Sequence, residues 1–180
     1  MKNRKIGVKQ HDITDCGAAC LASVASHFGL DMPISRIRQY ASTDKKGTNI
    51  LGMIEAANTL GFTAKGVKGE FESLFEIPTP TIAHVIVKGT LHHFVVIYEV
   101  TSSYIKVMDP MDGRLHKLSH SDFKEQWTGV LVLIMPDESF EPRSEKVKIT
   151  SRLWFLLKPH RSVLLQATIG AAVYTIIGLS

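Results

Sequence analysis

Small apolar residues fill the chain from Cys16 to Phe28, and Gly29 follows them. That pattern predicts a buried helix, with Thr14 and Asp15 able to cap its start and the glycine to stop it. A shorter helix is expected over Ile34 to Ala41. A third runs from Ile50 to Leu60, capped by Thr48 or Asn49 and stopped by Gly61. Beyond it the period changes from helical to alternating. Thr81 to Val87, Leu91 to Val100, Tyr104 to Met108, Arg114 to Leu118 and Val130 to Met135 are β-branched or alternating runs separated by turns, and read as strands. Helices first and antiparallel strands later is the α+β arrangement.

The pattern breaks again at Pro136. Residues 137–150 carry seven charged side chains around Pro142, the composition of a solvated linker. Residues 151–161 read as a short interfacial helix ended by Pro159. From Ser162 to Ser180 no side chain is charged. The eighteen residues from Val163 to Ser180 would span ~27 Å as a helix against a hydrocarbon core of ~30 Å, so 162–180 is expected to be the start of a truncated first transmembrane helix. Arg152, Lys158 and Arg161 ahead of it predict that residues 1–136 lie on the cytoplasmic side.

Composition narrows the class. A chain of 180 residues, 44% hydrophobic and 21% charged, is neither disordered nor of low complexity, and residues 1–136 suffice for one core. The net charge is +4, but residues 1–150 hold 18 basic against 17 acidic groups. A nucleic-acid binder carries its basic excess on the folded domain, so that partner is set aside. Two cysteines, Cys16 and Cys20, exclude a disulfide scaffold and fit a reducing compartment. Gln10-His11-Asp12 stands where a signal peptide needs an apolar core, so secretion by that route is not expected.

The chemistry concentrates in Gln10-His11-Asp12-Ile13-Thr14-Asp15-Cys16-Gly17. A cysteine in the first turn of a helix meets unpaired N–H groups and the positive end of the dipole, which favour thiolate over thiol. Gly17 would let a ligand backbone approach. Gln10 can fold back so that its amide and the Cys16 N–H form an oxyanion hole. Cys20, one turn on among alanines, reads as a small core residue.

A nucleophilic thiol needs a base and a group to orient it. Of eight histidines, His11, His27, His116, His120 and His160 sit in polar contexts, and His84 reads equally as a core histidine. His92 and His93 open an apolar strand and face opposite ways. With a three-residue loop, Val100-Thr101-Ser102, His93 opposes Asp109 on one face; with a two-residue loop it opposes Pro110. Asp109 also begins the turn sequence Asp109-Pro110-Met111-Asp112-Gly113. Gly47 and Gly52 have phosphate-loop spacing, but Met53 and Ile54 stand where Lys and Ser/Thr are needed, and no zinc-ligand spacing occurs. No metal or cofactor is expected in this segment.

Four stretches in order resemble one family: Gln10 through Leu21 (QHDITDCGAACL), Gly47 through Gly61 (GTNILGMIEAANTLG), His93-Phe94-Val95-Val96, and Asp109-Pro110 with Trp127-Thr128-Gly129. It is the N-terminal papain-like peptidase domain of peptidase-containing ABC transporters, the double-glycine leader or bacteriocin-processing peptidases. The resemblance implies a papain-like fold over 1–136, Cys16 as nucleophile, His93 as general base and acid, Asp109 as its orienter and Gln10 in the oxyanion hole. It further implies a precursor peptide with a helical leader ending in Gly-Gly or Gly-Ala as substrate. The rest of the transporter, a homodimer at full length, would be the partner, at the bacterial plasma membrane. ATP would enter only with a C-terminal nucleotide-binding domain. Two other readings stay open: a non-cleaving module that holds cargo, and a different papain-like amidase or acyltransferase.

Overall fold

Helix α1 (Cys16–Phe28) ends where expected: Gly29 takes φ 103°, and its N–H reaches the carbonyls of Ala25 and Ser26. The structure, a computed structural model, describes residues 7–43, 47–145, 154 and 157–178. The start of α1 differs from expectation. A 3-10 turn, Ile13–Asp15, leads into it, and Asp12 rather than Thr14 or Asp15 supplies the side-chain cap. Asp15 is instead buried. Its carboxylate accepts from the Asp12 N–H at 3.2 Å and pairs with Arg38 at 2.7 Å. That second partner comes from α2 (Ile34–Tyr40) and is out of reach of any local pattern.

Helix α3 (Ile50–Thr59) uses Asn49 as its cap, the side chain accepting from the Gly52 N–H at 2.7 Å. Gly17 serves packing: a Cβ there would lie 2.9 Å from Thr48 Cβ and 3.2 Å from Met53 Sδ, so its absence lets α3 close on α1.

Six antiparallel strands follow: β1 (Phe62–Lys68), β2 (Thr81–Val87), β3 (Leu91–Val100), β4 (Ile105–Asp109), β5 (Arg114–Leu118) and β6 (Trp127–Pro136). They are ordered β1-β6-β2-β3-β4-β5. β1 was not expected, because Lys65, Gly66 and Lys68 interrupt its alternation. It lies at a sheet edge, where charge is tolerated. Helix α4 (His120–Gln126) was also unexpected; Ser119 caps it and Phe123 alone of its seven residues is buried. The β3–β4 connection is a turn over Thr101–Tyr104, with the Thr101 N–H donating to the Tyr104 carbonyl at 2.9 Å, so β4 starts one residue later than predicted.

Both faces of the sheet are covered. Phe94 and Val96 of β3 join Leu21, Met53 and Met108 beneath the helices. Val95 and Ile97 join Ile105, Val107, Phe123 and Leu131 on the other face. This is the α+β, papain-like arrangement of N-terminal helices on an antiparallel sheet.

Met1–Glu145 forms one compact unit and Lys146–Ser180 a second. The first unit thus extends into the stretch 137–150 expected as linker. Phe140 packs on Phe62 with tilted rings and centroids 4.5 Å apart, and Asp31 and Glu145 are tied by a 2.8 Å backbone hydrogen bond. Residues 146–150, and most of the interfacial helix expected over 151–161, lie outside the described residues. The described end of that segment is a 3-10 turn, Lys158–His160, leading into helix α5 (Arg161–Gly178). Among the described residues no helix is long and apolar enough to cross a membrane. The apolar run of α5 is diluted by Gln166, Thr168 and Thr175, whose threonine hydroxyls donate back to the carbonyls of Leu164 and Ala171.

Candidate active site

Three elements meet at one imidazole. His93, near the start of β3, is almost fully buried, and its Nε2 lies 2.9 Å from Asp109 Oδ1 at the end of β4. The Cys16 thiol, at the first residue of α1, is near enough to the same ring to help raise its pKa. A carboxylate oxygen accepts, so Nε2 carries its proton toward Asp109 and Nδ1 is the nitrogen left for sulfur. Asp109 Oδ1 also accepts the Met111 N–H at 2.8 Å, so the turn that begins at Asp109 is what aims its carboxylate.

The register that brings these groups together is not the predicted one. β3 and β4 pair as Val100↔Ile105 and Glu99↔Lys106, then, past a one-residue irregularity in β3, as Ile97↔Val107 and Val96↔Met108. Continued one step, Asp109 stands beside Val95 rather than His93. The contact is therefore diagonal, across two residues of the same face, a span that a histidine and an aspartate can bridge.

Burial alone would lower the pKa of His93. The hydrogen bonds and negative charge supplied by Asp109 and Cys16 outweigh it and raise the value to about 9. Burial likewise opposes ionisation of Asp109, but hydrogen bonds from His93 and from the Met111 N–H, with the charges of His93 and His116, hold it below the usual carboxylate range. The thiol thus faces an imidazole that is a cation through the neutral range, the arrangement needed to hold a thiolate and then to hand a proton to a departing amine.

The remaining residues fall into place around this line. The Gln10 N–H donates to the Pro110 carbonyl at 2.8 Å, which ties its segment to the residue after Asp109. Its side-chain Oε1 is buried without a hydrogen bond. Cys20 is fully buried and its S–H donates to the Phe94 carbonyl at 3.3 Å; burial, then the charges of Cys16 and Asp109, push its pKa well up. His92 turns away to meet His84 Nε2 at 3.2 Å, and His84 Nδ1 lies 2.9 Å from the Thr128 hydroxyl. His116 pairs with Asp112 and His120 donates to the Thr101 carbonyl. The ion pair between buried Asp15, the residue before Cys16, and partly exposed Arg38 was missed in the sequence, where nothing links positions 15 and 38.

Residues 4–139 match the model of the peptidase C39 family. The chain is 35% identical over 158 residues to the lactococcin-G-processing and transport ATP-binding protein LagD of Lactococcus lactis subsp. lactis, covering 87% of this chain and 22% of that protein. It is 31% identical over 185 residues to the mesentericin-Y105 transport/processing ATP-binding protein MesD of Leuconostoc mesenteroides, covering 99% of this chain and 25% of that one. The chain therefore spans about a quarter of the length of these curated relatives. Among solved structures, the peptidase domain of Streptococcus ComA superposes with a TM-score of 0.69 at 35% identity, covering 74% of this chain and 99% of the other. A double-glycine motif protease from an AMS/PCAT transporter, solved with its leader peptide, superposes with 0.66 at 29% identity, covering 72% and 90%.

Proposed function

This chain belongs to the peptidase C39 family, and on that premise we propose that it cuts the leader from a precursor peptide after a Gly-Gly-type motif, as the peptidase part of an ABC exporter. The observation that carries the reading is the single imidazole shared by the Cys16 thiol and the Asp109 carboxylate. In this mechanism the Cys16 thiolate attacks the carbonyl of the last leader glycine. The Gln10 amide and the Cys16 N–H hold the oxyanion, and the His93 cation protonates the leaving amine. Water then attacks the thioester, with neutral His93 as base, and releases the leader acid. Two glycines suit a narrow cleft because they present no Cβ to its walls.

Transport with processing is named for relatives about four times as long. The residues beyond Glu145 would join the peptidase unit to the membrane part of such a transporter, itself a dimer at the bacterial plasma membrane. Arg152, Lys158 and Arg161 favour the cytoplasmic side for the peptidase unit. ATP would act in a nucleotide-binding part of that longer protein.

Incubation of the chain with a precursor whose leader ends in Gly-Gly is expected to give two masses, one ending at the second glycine. An intact precursor would instead favour a module that holds cargo without cutting it. Replacing Gln10 with alanine removes one oxyanion donor and is expected to lower kcat by about 10²–10³ with little change in KM. An unchanged kcat would assign the hole to other groups.

A further inference from the structure

Acyl transfer divides a peptide into two halves: the acyl half stays on sulfur, and the amine half leaves from beside the imidazole. In this structure the two catalytic partners line different cavities. Cys16 lines one together with Ile50 of α3 and Phe94 of the sheet face that the helices cover. His93 and Asp109 line another, of about 440 Å³, whose walls include Val85, Val95, Val107 and Phe123 of the opposite face.

We propose that this second cavity receives the side chain of the first residue after the scissile bond and selects an apolar one over an acidic one. The assignment rests on the peptidase reading above and adds a specificity determinant to it. When the tetrahedral intermediate collapses, the C–N bond breaks, the acyl group remains on Cys16 Sγ and the nitrogen takes the proton of His93. The residue carrying that nitrogen must then lie against the imidazole, and His93 is one of the residues that line this cavity. Its aliphatic walls would bury a leucine- or phenylalanine-sized side chain, and its volume lies within the range of small-ligand sites.

Charge at the mouth points the same way. Asp109 and Asp112 both line the cavity. Each already has an imidazole beside it, His93 at 2.9 Å and His116 at 2.9 Å. The Lys117 ammonium is drawn 4.2 Å above the Tyr104 ring. An acidic side chain entering here would meet two carboxylates, each with its nearest imidazole already engaged. The new amino terminus of the cargo, once it takes a second proton from solvent, would find those carboxylates complementary.

The test is kcat/KM for precursors that differ only at the first residue after the second glycine, measured on the 180-residue chain. Leucine there is expected to exceed aspartate by about tenfold or more, in line with discrimination by apolar pockets. Gln126→Lys adds a cation to the cavity wall from the last turn of α4 and is expected to move the leucine-to-aspartate ratio at least threefold toward aspartate. Both substrates see the same sample, so the ratio is insensitive to the fraction folded. Equal rates for leucine and aspartate would overturn the assignment, as would a ratio that Gln126→Lys leaves unmoved. If no precursor is cut at all, the peptidase reading fails and takes this one with it.

Discussion

Cys16→Ala is expected to abolish cleavage, by 10⁴-fold or more, while the leader still binds with a Kd within about threefold of the unaltered protein. The substitution removes one sulfur atom at a buried helix start and leaves the helices and sheet around the cleft intact. Nothing nearby can replace it. Cys20 sits one turn further along α1, fully buried, its S–H committed to the Phe94 carbonyl and its thiolate disfavoured first by burial. Leader fluorescence anisotropy and a precursor mass spectrum on the same sample separate binding from turnover. Fragments above background from the alanine protein would exclude Cys16 as nucleophile.

Asp109→Asn is expected to lower kcat by about 10²-fold or more and to move the alkaline limb of kcat/KM to lower pH. The activity needs the His93 cation, which persists to about pH 9 because Asp109 and Cys16 together overcome burial. Asparagine removes the charge and turns the ring's best acceptor into a weaker one, leaving burial to lower the histidine pKa. The same pair bears on stability. His93 titrates higher folded than its ordinary 6.5, so its contribution is complete below 6.5 and fades as pH rises through about 9. Asp109 titrates below its ordinary 3.8, so its contribution is present above 3.8 and is lost on further acidification. The difference in Tm between the two proteins should therefore be largest near pH 4–6.5 and shrink toward pH 9. An alkaline limb that stays in place would mean that Asp109 does not set the charge of His93.

How the carboxylate reaches the imidazole shows what a linear reading can and cannot supply. His93 and Asp109 were paired by counting back from a three-residue loop. The connection is longer, and counted from Val100↔Ile105 alone it would set Asp109 opposite Val96, on the helix-covered face. The extra residue in β3 between Ile97 and Glu99 shifts the count by one and returns Asp109 to the face of Val95 and His93. Side-chain direction has period two, so a connection that moves the count by three and a bulge that moves it back by one leave Asp109 on the right face with the partner shifted by two. A bulge leaves no mark in residue type here, since Tyr98 fits a regular strand as well.

Other differences have similar causes. β1 was hidden by lysines and a glycine that a sheet edge tolerates. α4 is short, and the Ser119-to-Asp122 cap was its one local signal. Phe140 carries the first unit past Pro136 because an aromatic inside a charged run can still find a ring to pack against. Gly17 is small for the sake of α3, whose approach no pattern around position 17 describes.

By itself the sequence determined the helices that begin at Cys16 and Ile50, the five main strands and the chemical types assembled for thiol catalysis. Capping, glycine stops and side-chain alternation act within a few residues of one another, so they can be read in order along the chain. Only the tertiary structure decided that His93 joins Cys16 to Asp109 while His92 turns to His84, that Arg38 neutralises Asp15, and that sulfur and imidazole open onto separate cavities. Those facts depend on through-space contacts between residues tens of positions apart. There, one extra strand residue or one close helix approach changes which atoms meet.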